Sequence, residues 1–176
     1  MSRRGEWLLI ALVALLAGAA GYGYNLWRTG PGSAEAEAAR TVLATRFPDL
    51  AGAPQPIEQW RGKVLVINFW ATWCAPCREE IPVFVRMQEA HGAQGLQFVS
   101  IAIDQPDKVR DFAAELGMNF PVLIGALDAI ELSRTLGNKA GVLPFTVVLG
   151  RDGQLVHTKV GAIKEAQLAR IVTPLL

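Results

Sequence analysis

One apolar stretch of the sequence leads directly into the chain's only two cysteines. Residues 64–70 read VLVINFW, a run of β-branched and aromatic residues that is typical of a strand buried on both faces. Cys74 and Cys77 come after a short loop, and Pro76 lies between them. Proline favours the first turn of a helix, where its missing N–H costs nothing. The sequence therefore predicts a buried strand, a loop and a helix that begins at the cysteines.

The alternation of strands and helices continues to the end of the chain. After the strand at 64–70 and a helix at 76–91, the pattern predicts strands at 96–103, 121–124, 145–149 and 154–160, and helices at 107–116, 127–136 and 164–172. Residues 151–153, Arg-Asp-Gly, predict a hairpin turn between the last two strands. Strands that alternate with helices and end in a hairpin indicate an α/β fold, with a mixed central sheet flanked by helices.

The first 27 residues differ from the rest. Residues 7–27 carry no charge and come after Arg3 and Arg4. As a helix this segment would be about 31 Å long, close to the hydrocarbon thickness of a bilayer, and the arginines favour a cytoplasmic amino terminus. We therefore expect one transmembrane helix in the inner (cytoplasmic) membrane, with the rest of the chain in the periplasm or outside. The alternative is a signal peptide cleaved near residues 17–19, which leaves a soluble periplasmic protein.

The rest of the chain is predicted to contain a linker and one domain. Residues 28–46 contain Gly-Pro-Gly and then an alanine-rich stretch, which predicts a linker and a lead-in helix. Residues 47–176 then form one globular domain, beginning with a short hairpin or extended arm at 47–59. The formal net charge is +1. A chain this close to neutral has no long-range attraction for polyanions, so we expect no nucleic-acid partner.

A structural role for the cysteine pair is the first alternative to catalysis. Disulfide stabilisation grows with loop length, and so short a loop gives only about 2 kcal/mol. A structural zinc site needs four ligands, whereas the chain adds only His91 and His157, which we expect at a helix end and in the late hairpin. Covalent haem attachment needs a histidine directly after the second cysteine, where this chain has Arg78. We therefore expect no metal, and no cofactor beyond the cysteine pair.

Redox catalysis fits the predicted geometry better. Cys74 would lie at the amino terminus of the helix, where unpaired N–H groups and the positive end of the helix dipole lower the pKa of a thiol. A partly uncovered thiolate there can attack a disulfide. Cys77, one turn further in and less exposed, can then resolve the mixed disulfide. Outside the cytoplasm such a pair can also be oxidised.

The segment VINFWATWCAPCREEIP at residues 66–82 resembles the active-site segment of thioredoxin-fold proteins, most closely of the membrane-anchored TlpA/ResA-like thiol–disulfide oxidoreductases. The resemblance covers about residues 47–176. It implies a thioredoxin fold with an N-terminal extension and a central strand–helix insertion before the final hairpin. Pro82 falls where the family has a proline within its active-site helix. The resemblance also implies an enzyme, a protein-disulfide reductase with Cys74 as nucleophile and Cys77 as resolving thiol.

The resemblance further implies a loop that faces the cysteines. Residues 141–146, GVLPFT, match the family's loop with a cis proline. The Leu143–Pro144 bond is therefore expected to be cis, to present the Leu143 backbone to an extended substrate segment and to keep metals off the thiols. An apolar rim formed by Trp73 and Phe145 is expected beside a packed floor formed by Trp70. The expected substrate contacts, which include that rim, are Trp73, Pro76, Leu143, Pro144 and Phe145.

Glu80 matches the carboxylate of the family's CxPCxxE pattern. Many cytoplasmic thioredoxins carry a buried aspartate where this chain has Asn68, and an amide cannot shuttle a proton. Glu80 lies three residues after Cys77, so the two share a helix face. We hypothesise that Glu80 accepts and returns the Cys77 proton, whereas Glu79 is solvated. The alternative is that Glu80 is an ordinary surface acid.

The resemblance implies substrates and partners outside the cytoplasm. The substrates are disulfides in other exported cysteine-containing proteins, for example in cytochrome c maturation, and an integral-membrane thiol protein supplies the electrons. Ala75 and Pro76 do not decide the direction of transfer, so a thiol oxidase of the same fold stays open, as does a metal-binding chaperone module. A peroxidase of the peroxiredoxin type needs a Pro-x-x-x-Thr pattern before its cysteine, whereas residues 70–73 read Trp-Ala-Thr-Trp.

Overall fold

The computed structural model describes residues 3–29 and 31–176. The chain divides into two compact units, the first ending at Glu37 and the second running from Ala38 to Leu176. The first unit contains helix α1 (Arg3–Thr29) and the beginning of α2 (Pro31–Ala44). In the part of the chain that the structure describes, no helix is both long and apolar enough to cross a membrane. The transmembrane helix predicted over residues 7–27 is not seen there.

A short hairpin opens the second unit after α2, within the region predicted as a hairpin or extended arm. Strands β1 (Arg46–Pro48) and β2 (Pro54–Pro56) pair antiparallel. The Asp49 carboxylate fixes the turn by accepting hydrogen bonds from the N–H groups of Ala51 and Ala53, both at 2.9 Å. A single bridge between Asp49 and Leu123 attaches the hairpin to the edge of the main sheet.

The main sheet has five strands, and the apolar run at 64–70 forms its centre. All seven residues of that strand are buried, as the sequence predicts. The strands are β3 (Val64–Trp70), β4 (Leu96–Ala102), β5 (Val122–Ile124), β6 (Phe145–Leu149) and β7 (Leu155–Val160), in the order β5-β4-β3-β6-β7. Strands β3, β4 and β5 run parallel, whereas β6 is antiparallel to β3 and β7 is antiparallel to β6. The predicted mixed sheet is confirmed.

Four further helices connect and cover these strands. They are α3 (Ala75–His91), α4 (Pro106–Glu115), α5 (Ala126–Thr135) and α6 (Glu165–Val172), with 3₁₀ turns at Ile57–Trp60, Gly92–Gln94 and Thr173–Leu175. The ends of these four α-helices each lie within one residue of the predicted bounds. Pro82 lies inside α3, as the resemblance implies. The run β4–α4–β5–α5 lies between the motif-bearing unit β3–α3 and the final hairpin, where the resemblance implies an insertion.

The two faces of the sheet contact different helices. On one face Ile67 and Phe69 of β3 pack with Val42 of α2 and Leu132 of α5. On the other face Val64 and Val66 pack with residues of α3 and α6, among them Phe84, Met87, Leu168 and Val172. Near the carboxyl end of β3 this second face carries a smaller cluster that includes both cysteines. The cysteines therefore lie where the central strand ends and α3 begins.

Candidate active site

Cys74 is the residue immediately before α3. Its backbone is extended (φ −87°, ψ 101°), and its carbonyl accepts hydrogen bonds from Cys77 N–H at 3.1 Å and Arg78 N–H at 3.2 Å. Within the described part of the chain, the Cys74 side chain makes no capping hydrogen bond at this end of the helix. The two cysteines form a disulfide with a Cα–Cα distance of 5.3 Å. The predicted position of Cys74 at the helix amino terminus is confirmed.

Both sulfurs are more deeply enclosed than the sequence predicts. Cys74 is only 6% exposed and Cys77 is fully buried. The cause is a cluster of apolar side chains around the motif, which contains Trp70 and Ile81 and has the half-buried Leu143 packed against it. Cys74 is expected to be partly uncovered, and in the disulfide form it keeps only this small exposed surface; the predicted order holds, since Cys74 is the more exposed of the two.

Trp73 and Pro76 flank the motif on the outside. Trp73 is 70% exposed, and Pro76 is also exposed, so both can meet a substrate. The expectation that Phe145 belongs to the same rim is wrong, because it is fully buried with its ring centroid 5.8 Å from that of Phe69. The register of β6 places Phe145 on the face that packs against α2 and α5.

Trp70 forms the floor of the site, as predicted. Its side chain is fully buried, and its ring lies 5.5 Å from that of Phe112 on α4. The Arg78 guanidinium lies 4.8 Å from the centre of the same Phe112 ring. A cation on an aromatic face is favourable, so this contact holds α4 against the start of α3.

The loop before the nucleophile is fixed by Asp104, which the sequence analysis missed. Asp104 comes after β4, and its carboxylate accepts hydrogen bonds from the Thr72 hydroxyl and from Thr72 N–H, the latter at 3.3 Å. Gln105 N–H donates to the same carboxylate at 2.8 Å. Burial raises the pKa of Asp104, but the hydrogen bonds from Thr72 and Gln105 outweigh it and hold the pKa below its usual value. An acidic residue directly after a buried strand was the available signal.

The Leu143–Pro144 peptide bond is cis, as the resemblance implies. Leu143 is half-buried and packs against the cluster that contains both cysteines, so the loop lies beside the disulfide. Pro144 itself is buried, and its carbonyl accepts a hydrogen bond from Gly161 N–H at 2.8 Å. Of this predicted pair, only Leu143 keeps an exposed surface that a substrate can contact.

Asn138 holds this loop in place, and it too was missed. The buried Asn138 side chain accepts a hydrogen bond from Val142 N–H at 3.0 Å and donates to the Val142 carbonyl at 2.9 Å. A side-chain amide can satisfy both groups of one residue at once. The signal in the sequence is weak, since Asn138 lies in an ordinary turn context after α5.

Glu80 lies on the buried side of α3, facing the sheet, and is only 3% exposed. The alternative that it is a surface acid is therefore wrong. Its Oε1 accepts a hydrogen bond from Asn68 Nδ2 at 2.8 Å, and its Oε2 accepts one from Ile163 N–H at 3.0 Å. Desolvation raises the pKa of Glu80 to about 7, although both hydrogen bonds act to lower it. Glu79, by contrast, is exposed, as expected.

The described residues also bear on metal binding. Among residues 3–29 and 31–176, no group of three or more His, Cys, Asp or Glu side chains is arranged to hold a metal ion. His91 ends α3 and contacts Gln94, with 3.3 Å between His91 Nδ1 and Gln94 Oε1. His157 lies in the edge strand β7.

Comparison with known proteins supports this geometry. The Redoxin family model matches residues 37–172. This chain belongs to the Redoxin family. ResA of Geobacillus kaustophilus, named a thiol-disulfide oxidoreductase, is 28% identical to this Redoxin-family chain over 123 residues, covering 69% of this chain and 68% of that protein. ResA of Halalkalibacterium halodurans is 26% identical over 173 residues, covering 93% and 90% respectively.

Solved structures agree with the sequence relatives. A thiol:disulfide interchange protein of the thioredoxin family from Chlorobium tepidum superposes with a TM-score of 0.67 at 29% identity, covering 74% of this chain and 92% of that one. A secreted disulfide oxidoreductase of Mycobacterium tuberculosis, homologous to DsbE of E. coli, gives a TM-score of 0.65 at 25% identity, covering 77% and 98%. The predicted thioredoxin fold and the resemblance to ResA-like proteins are confirmed.

The family and the geometry together define the chemistry of this Redoxin-family site. A disulfide at the amino terminus of a helix can exchange with an external thiol or disulfide, and the less buried sulfur is attacked first. Cys74 and Cys77 are therefore the redox-active pair of a thiol–disulfide oxidoreductase of the ResA/DsbE type.

Proposed function

We propose that this oxidoreductase works outside the cytoplasm and reduces disulfides in other exported proteins, with cytochrome c maturation as its setting. The observation that carries the proposal is the combination of the Cys74–Cys77 pair at a helix start with a buried carboxylate, Glu80, one helical turn away. A buried acid whose pKa is near 7 can both take and return a proton at ordinary pH.

The reaction starts from the reduced dithiol. The Cys74 thiolate attacks one sulfur of the substrate disulfide, and the other substrate sulfur leaves as a thiolate that takes up a proton. Cys77 then loses its proton to Glu80 and attacks the Cys74 sulfur, which releases the second substrate thiolate. Glu80 returns the proton to that leaving group. The dithiol gives up two electrons and the substrate disulfide gains them.

The reducing direction depends on a supply of electrons. We propose that an integral-membrane thiol protein re-reduces the Cys74–Cys77 disulfide by the same exchange, run in reverse. The exposed Trp73 and Pro76 and the half-buried Leu143 form the surface that both partners meet. Since that surface is mostly apolar and uncharged, it can accept different cysteine-containing partners in turn.

The direction is tested by the reduction potential of the pair. The full chain is equilibrated with a dithiothreitol series, and the fraction of disulfide is measured by thiol titration. The proposal predicts a potential in the reducing range, near that of thioredoxin at about −270 mV, together with reduction of insulin. A potential near about −120 mV, typical of strong oxidants, contradicts the reductase and identifies a thiol oxidase instead.

The substrates are tested by trapping. In Cys77→Ser the mixed disulfide on Cys74 cannot be resolved, so natural partners should accumulate on the chain as disulfide-linked adducts. The matched control is Cys74→Ser, in which the remaining thiol is fully buried and should trap far less. Proteins with the C-x-x-C-H haem-attachment motif among the adducts support cytochrome c maturation. Adducts that never include such proteins contradict that setting and leave the general reaction intact.

We also propose that residues 7–27 direct export and hold the domain at the outer face of the inner membrane. The proposal is supported by the absence of charge in this segment and by Arg3 and Arg4 before it. Fractionation and then alkaline extraction test it, because a tethered chain stays in the membrane pellet. A soluble periplasmic form whose new amino terminus lies near residue 20 contradicts the tether.

A further inference from the structure

Glu80 receives one of its two hydrogen bonds from a short segment that is distant along the chain. Residues 161–163, Gly-Ala-Ile, join β7 to the start of α6, and we call them the connecting segment. Ile163 N–H donates to Glu80 Oε2 at 3.0 Å, while Asn68 Nδ2 donates to Oε1 at 2.8 Å. One carboxylate oxygen is therefore held by the central strand and the other by the connecting segment.

The two donors to Glu80 differ in how they are attached. The Asn68 amide is carried on rotatable side-chain bonds, whereas the Ile163 N–H belongs to the backbone and moves only with the chain. The Ile163 side chain is 2% exposed and lies in the cluster that contains Leu168 and Val172 of α6. The Ile163 N–H therefore fixes the position of Glu80 Oε2 for as long as the connecting segment keeps its path.

Both ends of the connecting segment are anchored. Gly161 N–H donates to the Pro144 carbonyl at 2.8 Å, and this carbonyl is the only backbone hydrogen-bonding group that a proline has. At the other end the Lys164 carbonyl accepts hydrogen bonds from the N–H groups of Gln167 and Leu168, both at 3.0 Å, where α6 begins. The direction in which the chain leaves Gly161 therefore decides where the Ile163 N–H points.

Gly161 has a backbone conformation that other residues rarely adopt. Its φ is +81°, in the left-handed region that favours glycine. A Cβ added at Gly161 would meet no atom within 4 Å, so lack of space does not require a glycine there. The requirement comes from the backbone angle, which turns the chain at the end of β7 so that the N–H two residues later faces Glu80.

We propose that Gly161 is a positioning residue for Glu80, whose left-handed backbone turns the connecting segment so that the Ile163 N–H holds the carboxylate one helical turn from Cys77. The same glycine is bonded to Pro144, so a single short segment holds both the acid and the loop that contains the cis proline. The inference rests on the proposed function for its effect on the reaction, whereas the placement of the carboxylate is a property of the fold.

Charged side chains do not take over this role. The titratable residues on the elements around Glu80 are Cys77, Arg78 and Glu79 on α3, Lys159 on β7, and Lys164 and Glu165 at the start of α6. Among the described residues, the pKa of Glu80 is set by burial, then by the Ile163 N–H, then by Asn68, with no charged side chain contributing. Because the Ile163 bond favours the charged carboxylate, weakening it should raise the pKa of Glu80 further.

The first test compares two glycines with the same backbone conformation. In Gly161→Ala the strained turn should displace the Ile163 N–H, so the Glu80 midpoint should rise by about 1 pH unit, roughly the worth of a hydrogen bond to a charged group. Carboxyl ¹³C NMR of the oxidised full chain measures it. The matched control is Gly52→Ala in the β1–β2 turn, where φ is +84° and an added Cβ also meets no atom within 4 Å. An unshifted midpoint in Gly161→Ala, or equal shifts in both variants, overturns the proposal.

A change confined to the backbone gives an independent reading and keeps every side chain. Incorporating the α-hydroxy acid analogue of isoleucine at position 163 exchanges the Ile163 N–H for an ester oxygen, which cannot donate, so the Glu80 midpoint should rise by about 1 to 2 pH units. The control is the same exchange at Gln154, whose N–H donates to the exposed Asp152 carboxylate at 3.1 Å. A midpoint that stays in place after the exchange at Ile163 overturns the role of the connecting segment.

The outcome is distinguishable from failure of the proposed function. If the Glu80 midpoint rises in Gly161→Ala and the pH profile of insulin reduction moves with it, both proposals are supported. If the midpoint rises but the profile stays that of the wild type, Gly161 positions Glu80 and Glu80 is not the proton acceptor of Cys77. If the midpoint stays in place while Glu80→Gln changes the profile, Glu80 keeps its role and Gly161 does not position it.

Discussion

Two neighbouring rows of side chains cross the middle of the central sheet over the same three strands, β4, β3 and β6. The row on the face packed with α2 and α5 is apolar, and the row one residue further along, under α3, is polar. In strand order the first is Val99, Ile67 and Val147, and the second is Ser100, Asn68 and Thr146. Both rows are buried.

The two rows differ in what they contribute to the stability of the fold. Burying aliphatic side chains stabilises the fold, whereas burying a polar atom without a hydrogen bond costs about 1–3 kcal/mol. The polar row lies only where α3 brings the Glu80 carboxylate onto the sheet, one helical turn from Cys77. The apolar row stabilises the sheet, and the polar row supplies, through Asn68, a hydrogen bond to the carboxylate that we propose accepts the Cys77 proton.

The largest expected effect belongs to the apolar row. Ile67→Ala should lower the free energy of unfolding by about 2–5 kcal/mol, because it leaves a cavity in a fully buried site. Urea unfolding at fixed pH measures this loss. The milder Ile67→Val is the control and should cost about 0.5–1.5 kcal/mol. A loss below about 1 kcal/mol in Ile67→Ala contradicts the structural role of this row.

The polar row should make stability depend on pH. The pKa of Glu80 is raised from 4.5 to about 7, so between these values the folded chain holds a proton that the unfolded chain has released. Stability is therefore full below pH 4.5 and falls as pH rises through 7, by about 3 kcal/mol from this group. Urea unfolding across this range measures it. Glu80→Gln should flatten the fall, Glu79→Gln should keep it, and a fall that persists in Glu80→Gln contradicts the assignment.

A smaller effect on stability is expected from Asp104, which binds the loop before Cys74 through Thr72. Asp104→Asn weakens the carboxylate acceptor of Thr72 N–H and hydroxyl, and should cost about 1–2 kcal/mol. It should also broaden the indole resonance of Trp73 by freeing the loop. The control is Asp107→Asn, which removes an exposed carboxylate that pairs only with Arg110 among the described residues. Equal losses of stability in the two variants would contradict the role of Asp104 in fixing the cysteine loop.

The smallest effect on stability is expected from an exposed ion pair between α3 and α6. Arg86 on α3 and Glu165 on α6 form an exposed ion pair with an N–O distance of 2.7 Å. Water and salt screen such a pair, so a double-mutant cycle should give a coupling of about 0.5 kcal/mol that vanishes at high salt. A coupling above about 2 kcal/mol would contradict the expected screening of this exposed pair.

The sequence predicted the elements that local pattern controls. The strand at 64–70, the start of α3 and the cis bond before Pro144 all come from short segments, the first two from residue pattern and the third from the resemblance. The burial of Glu80 could not be predicted in the same way, because residue spacing places it on the Cys77 face of the helix and does not say what covers that face.

The expectations that failed depend on contacts between distant segments. Phe145 is buried because β6 pairs with β3 in a register that turns it toward Phe69. The enclosure of Cys74 needs Leu143, which is distant along the chain, and the Thr72–Asp104 contact joins two strand ends. No local pattern carries such pairings, so they emerge only from the assembled sheet.

The central claim is that Glu80 exchanges the proton of the resolving thiol Cys77. It is tested most directly by the rate at which the reduced chain reduces insulin between about pH 5 and about pH 9, in the wild type and in Glu80→Gln. The account predicts a change in rate with a midpoint near 7 in the wild type and its loss in the variant, with Glu79→Gln unaffected. Identical profiles in all three proteins would contradict it.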